Sequence, residues 1–393
     1  MKIRILSLIL LLAFISYGQN SNKVKSVLND AKQKYAPDKR TAIFDVEYSE
    51  KDGVIMLTGE TNIPEAKDFV TKRLGEKFEM EDNIDVLPEE ELKEKIYGII
   101  NLSVANLRSH PKHSAELATQ SLLGTPVKVY KKKGWWFRIQ TPDQYLAWVD
   151  DDGVYLVNEE NYHAWIKAPK IIVTSDFTHS YKGASDESGR VSDIVAGNLL
   201  KFISEEGSYF KAAFPDGRTG YVKKEDAMKY NEWIESRNTD ADKILEKAYS
   251  FLGTPYLWGG TSIKGMDCSG FTKTVYHLNG IVLRRDASQQ VHTGELVSET
   301  IDFDKLQKGD LLFFGFKGTS EKKERITHVG IYIGDTEFIH ASGLVKVNSL
   351  DSSRDNFSEY RYKSFIRAKR VLSSVNENGI ETFLTNKFYT GEK

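Results

Sequence analysis

Cys268 is the only cysteine in 393 residues, so no internal disulfide can form and every module must be held by a packed core. The constraint matters because the N-terminus reads as an export signal. Lys2 and Arg4 precede an apolar run from Ile5 to Ile15, broken only by Ser7, and Ser16 and Gly18 sit three and one positions before a cut after residue 18. The run is too short to cross a hydrocarbon layer of about 30 Å and has the layout of a secretory signal peptide over residues 1–18. No cysteine follows the cut, so no lipid anchor and no stable membrane attachment are expected, and the location implied is periplasmic or secreted. The remaining 375 residues have room for two to four domains.

The formal charge is −2, or −4 without Lys2 and Arg4. A nearly balanced surface with no basic block argues against nucleic acid or anionic membrane as the main partner. The 19 Tyr, 20 Phe and 6 Trp suit carbohydrate or peptide grooves, and equally suit all-β modules, which are rich in aromatics.

The texture of the chain changes twice. Residues 22–92 read as a small α/β module: strands at Phe44–Tyr48 and Val54–Thr58 around Asp52-Gly53, a helix from Pro64 to Phe78, and a third strand from Ile84. The order resembles BON-like or secretin-type modules, with a spacer or interaction role expected. From Lys95 short strands alternate with turns. One set is Ile96–Ile100, Pro126–Tyr130, Trp135–Ile139 and Tyr145–Val149; a second is Ile171–Val173, Leu199–Ile203, Tyr209–Ala213 and Thr219–Val222. The two look like copies of one small all-β barrel, over 93–168 and 169–234. Val104–Arg108 and Trp136–Ile139 resemble bacterial SH3-like (SH3b) domains. Residues 238–373 turn α+β, with helices at Ala241–Leu252 and Cys268–Leu278 and strands including Leu311–Phe314 and His328–Ile333; residues 374–393 read as a polar tail.

Cys268 opens the second of those helices, where free N–H groups and the positive end of the helix dipole favour a thiolate. Asp267 and Ser269 stand at its capping positions. His328 begins an apolar strand and His340 ends the next. A regular two-residue loop at Gly334-Asp335 would place the histidines on opposite faces; a loop of three or five residues, or a bulge, would pair 328 with 340 on one face. The odd loop or bulge is expected, with His328 nearest Cys268 as base and His340 bonding its far ring nitrogen. A lone buried Cys is more often structural, and a strand His is usually a satisfied core residue, but the three together in this order favour catalysis. A zinc site lacks a fourth ligand, so no metal and no organic cofactor are expected.

Six blocks carry a family resemblance: Leu252–Gly260, Asp267–Phe271, Arg285–Gln289, Gly309–Phe314, Thr327–Gly334 and Ile339–Ala341. They resemble the papain-like catalytic domain of the NlpC/P60 cell-wall peptidases. The resemblance implies Cys268 as nucleophile, His328 as base, His340 as orienting third member and Tyr256 near the oxyanion. Two SH3b-like modules ahead of such a domain resemble the YkfC-like γ-D-glutamyl-L-diamino acid endopeptidases, in which the first module recognises a free L-Ala amine. The matching positions are Glu116 and Tyr145, with Trp258, Asp267, Ser269 and Ser288 at further substrate-binding positions. The fold class implied is α+β: a catalytic domain preceded by two all-β barrels and a small α/β module. The implied reaction is hydrolysis of the γ-D-glutamyl–diamino acid bond in peptidoglycan stem peptides during recycling. The alternatives are an endopeptidase acting on intact peptidoglycan and a non-catalytic wall-binding adaptor.

Overall fold

The computed structural model describes residues 21–237 and 240–392; the expected signal peptide lies outside them. The chain divides into two compact units, the first of residues up to Lys93 with Tyr130–Lys132, the second of Glu94–Val129 and residues from Lys133 onward.

In the first unit, residues 21–35 form helix α1, followed by β1 (Phe44–Lys51), β2 (Val54–Thr61), α2 (Pro64–Gly75) and β3 (Met80–Val86). β2 lies centrally, antiparallel to β1 and parallel to β3. Pro64 starts α2, and Ala66, Val70 and Leu74, four apart, bury one stripe of it. Val24 and Ala31 of α1 complete this core with Ile55, Leu57 and Ile84. Two expectations shift: α2 stops at Gly75 rather than Phe78, and β3 begins at Met80 rather than Ile84. β3 buries only Ile84, so it has almost no alternation to read.

The second unit opens with β4 (Tyr97–Ile100), β5 (Val104–Arg108), β6 (Leu117–Leu122), β7 (Pro126–Lys133), β8 (Trp136–Gln140), β9 (Leu146–Asp150) and β10 (Val154–Val157), then α3 (Glu159–Lys167). β11 (Lys170–Val173), β12 (Phe177–Tyr181), β13 (Arg190–Val195), β14 (Leu199–Glu206), β15 (Tyr209–Ala213), β16 (Thr219–Lys223) and β17 (Ala227–Lys229) follow, then α4 (Tyr230–Glu235). Counted within each set, both seven-stranded sheets run in the order 7-1-4-5-6-2-3. Identical strand order followed by a short helix is an internal duplication at the level of topology.

The C-terminal domain starts with α5 (Ala241–Ser250), a small hairpin of β18 (Thr261–Ser262) and β19 (Gly265–Met266), α6 (Cys268–His277), β20 (Ile281–Val282) and α7 (Ala287–Gln290). Its six-stranded sheet has the order β21-β26-β22-β23-β24-β25, from Glu295–Ser298, Phe365–Arg370, Leu311–Phe316, Arg325–Gly334, Glu337–Ser342 and Leu344–Ser349, with α8 (Glu359–Lys363) before β26. α6 packs on this sheet through Phe271, Val275 and Tyr276, all without exposure, against Leu311, Phe313, Val329 and Ile331.

The segment expected as a polar tail is docked. β27 (Glu381–Thr382) pairs with β20, and α9 (Lys387–Thr390) follows. Phe383 joins Ile172, Leu199 and Trp233 of the second β module in one apolar cluster. The Asn386 amide donates to the Pro142 carbonyl (2.9 Å) and Tyr162 donates to the Phe388 carbonyl (3.1 Å), both in the first β module.

Candidate active site

Asp267 fixes the start of α6. One carboxylate oxygen accepts from the Gly270 amide (2.7 Å), capping the helix, and the other accepts from the Gly259 amide (2.9 Å). Arg285, 1% exposed, clamps the same carboxylate through both terminal nitrogens (3.1 and 2.6 Å). Its Nε donates to Thr119 of the first β module (3.0 Å), and Nη1 donates to Ser269 (3.1 Å). Gly270 lets this helix pass close by, since a β-carbon there would fall 2.0 Å from the Gly260 carbonyl oxygen. Asp267 and Ser269, expected as substrate-binding, flank Cys268 and are held by these bonds.

Burial pushes the Cys268 thiol up to about 11, aided by the Asp267 charge; the Val329 and Ser269 amides and Arg285 oppose this. Burial of the first helical turn and the adjacent carboxylate thus work against the thiolate that the helix dipole favours.

The histidines are joined directly. His328 Nε2 lies 2.7 Å from His340 Nδ1, and His340 Nε2 lies 2.9 Å from Asn348 Oδ1. Asn348 donates its amide to the Asn356 carbonyl (2.9 Å), which leaves Oδ1 as the acceptor. His340 therefore carries its proton on Nε2, accepts at Nδ1 from His328 Nε2–H, and leaves the Nδ1 lone pair of His328 unprotonated. Burial, with the charge of Arg361, holds His328 well below its ordinary range, and burial first of all pulls His340 down to about 4.

The register is more specific than direct pairing. The turn is the two-residue Asp335-Thr336, both with positive φ, between Gly334 and Glu337. A bulge between Tyr332 and Gly334 restores even parity, pairing Tyr332 with Phe338 and Ile331 with Ile339. His328 is thus a diagonal neighbour of His340 on one face, rather than directly opposite it.

The first β module supplies a second flank. Trp258 Nε1 donates to Glu116 Oε1 (2.7 Å), and Tyr145 donates to Asp286 (3.4 Å). Gln120 of β6 accepts from the Thr261 amide (2.9 Å) and from Ser262 (3.1 Å), seating that module on β18. Gly259, at φ +81°, makes the approach possible, since a β-carbon there would lie 2.1 Å from the Leu117 carbonyl oxygen. Ser288 sits half-buried on α7. Tyr256 is half-buried, and burial with the nearby Cys268 and Asp267 raises its pKa, so it stays a phenol.

Asn348, Asp286 and Arg361 were not singled out from sequence. Asn348 lies two strand positions beyond Lys346, the register partner of His340, a period-2 signal readable once the hairpin is known.

Comparison with known proteins agrees with this arrangement. Residues 253–367 match the NlpC/P60 family, and residues 107–154 match the bacterial dipeptidyl-peptidase SH3 domain. A γ-D-glutamyl-L-lysine dipeptidyl-peptidase of Bacillus cereus is 32% identical over 234 residues, covering 58% of this chain and 67% of that protein. Dipeptidyl-peptidase 6 of Lysinibacillus sphaericus is 29% identical over 270 residues, covering 65% and 92%. The crystal structure of an NlpC/P60 family protein from Bacillus cereus superposes with a TM-score of 0.60 at 26% identity, covering 70% of this chain and 99% of that one. With this fold and these matches, and with a buried Cys at a helix start and a linked pair of histidines in the same domain, the chain belongs to the NlpC/P60 family of cysteine peptidases.

Proposed function

We propose that the protein hydrolyses the γ-D-glutamyl–diamino acid bond of cell-wall peptides that carry a free N-terminal L-Ala, after export directed by residues 1–18. The observation that carries the specificity is the Glu116–Trp258 hydrogen bond, which brings a carboxylate of the first β module to the 255–260 turn. An ammonium group is the natural partner of that carboxylate. Tyr145 and Asp286, linked at 3.4 Å, add a second acidic partner to the same flank. The named activity of the Bacillus cereus relative supports the bond assignment.

The chemistry follows from the proton positions. Nδ1 of His328 takes the Cys268 proton as sulfur attacks the γ-carbonyl of D-Glu, with Tyr256 donating toward the developing oxyanion. The C–N bond then breaks, and the proton on His328 passes to the departing amine. Water, deprotonated by His328, releases the acyl group and restores the thiol. Neutral imidazole and neutral thiol are the resting pair, so proton transfer accompanies attack.

The test is incubation of L-Ala-γ-D-Glu-L-Lys with the protein and with Cys268→Ala. Product is expected from the parent alone; equal product from both overturns the assignment. Glu116→Ala is expected to lose activity on this peptide, and digestion of intact sacculi by the parent would favour wall remodelling over recycling.

A further inference from the structure

Arg361 lies on α8, whose first turn is capped by Ser358. Its guanidinium carbon sits 5.7 Å from the Phe314 ring centre and 5.1 Å from that of Tyr360. Phe314 is the register partner of His328, and the two rings are 5.8 Å apart. The cation is thereby placed beside the base, and its field reaches Cys268 and Tyr256 as well.

Among the other buried or half-buried arginines of this domain, Arg285, Arg367 and Arg370 hold the carboxylates of Asp267, Glu324 and Asp310, and Arg284 donates to the Asp143 carbonyl. Arg361 is half-buried, yet among the described residues no carboxylate lies within ion-pair distance of it and its guanidinium makes no hydrogen bond. Aromatic faces recover only part of the cost of withdrawing a guanidinium from water. Such a site is completed by an incoming anion, and the planar fork of Arg fits a carboxylate bidentately.

The flanks of Cys268 differ in charge. The flank built with the first β module carries Glu116 and Asp286 and suits an ammonium; Arg361 comes from α8, next to β22 and β23. Resting on the peptidase reading above, we infer that Arg361 is a specificity-determining residue that binds a carboxylate of the diamino acid leaving the scissile bond. Two sources share that chemistry: the C-terminal α-carboxylate of a tripeptide, and the second carboxylate of a diaminopimelate side chain.

The experiment compares kcat/KM on three peptides, L-Ala-γ-D-Glu-L-Lys, its C-terminal amide, and the diaminopimelate tripeptide, for the parent, Arg361→Gln and Arg361→Lys. In the parent, at least one of the two carboxylates is expected to raise kcat/KM by about tenfold or more over the counterpart that lacks it. Arg361→Gln should bring that ratio to within about twofold, and Arg361→Lys should keep an intermediate ratio through charge without the fork. Collapse of the acid-to-amide ratio identifies the α-carboxylate; collapse of the diaminopimelate-to-Lys ratio identifies the side chain. Ratios near one in the parent, or ratios unchanged in Arg361→Gln whatever the absolute rate, overturn the inference while leaving the peptidase reading intact. Failure of the parent to cleave any of the three overturns both.

Discussion

At the level of single atoms the proposed chemistry rests on the thiol of Cys268 and on the hydrogen-bond chain through His328, His340 and Asn348. With the thiol pushed up to about 11, alkylation by iodoacetamide should accelerate continuously from pH 7 to pH 10, because the reactive thiolate fraction is still growing. A rate already constant between pH 5 and 7 would show a preformed ion pair and contradict this reading. Asn348→Leu removes the acceptor that fixes the His340 proton on Nε2. The expected result is a kcat lower by about ten- to a hundredfold at unchanged KM, through the wrong tautomer rather than lost binding. Asp267→Asn leaves the almost fully buried Arg285 without its nearest counter-charge, with Asp286 remaining at 3.9 Å. That change should cost about 3 kcal/mol of stability, read as a lower denaturant midpoint.

Secondary elements act here by delivering those atoms to one place, and their legibility in sequence depended on how locally they are specified. The start of α6 is announced by Asp267-Cys268-Ser269-Gly270, and the histidine hairpin by two apolar strands, so both were readable. The bulge near Ile333 was foreseen as a parity requirement, whereas the diagonal register depends on which residues turn, and that is settled by positive φ at Asp335 and Thr336. In each β module the first, fourth, fifth and sixth strands stood out; the third and seventh are short or follow polar turns and did not. Arg361 and Asn348 escaped notice because their meaning lies in residues tens of positions away. The 255–260 turn is where the first β module meets the catalytic domain, so it carries a prediction at this scale. Gly259→Ala forces β6 away from that turn and should raise KM for the free-amine tripeptide about tenfold with kcat little altered, since Glu116 moves while Cys268 does not.

Across the second unit, stability and acid tolerance are collective. His328 and His340 are buried and His277 is half-buried, and all three are held below their ordinary range, His340 at about 4 and His277 at about 3. The unfolded chain takes up their protons near pH 6.5 and the folded one does not, so stability is fully present above that pH and falls as pH drops from 6.5 toward 4. Each such group contributes a limiting slope of about 1.4 kcal/mol per pH unit, and thermal melts across this window should show it. The docked C-terminal segment gives the other prediction. Truncation after Ser373 removes Phe383 from the cluster with Trp233 and Leu199, and should cost on the order of 5 kcal/mol together with activity on the free-amine peptide. Phe383 and Asn386 touch modules whose own strands end some 150 and 230 residues earlier. A chain made from its N-terminus therefore offers these anchors only after both barrels and the catalytic domain have been made. Barrels and catalytic domain can each begin to fold before then, but their final alignment waits for residues 381–390, so a peptidase cut short before them would be released with its nucleophile present and its substrate flank unset.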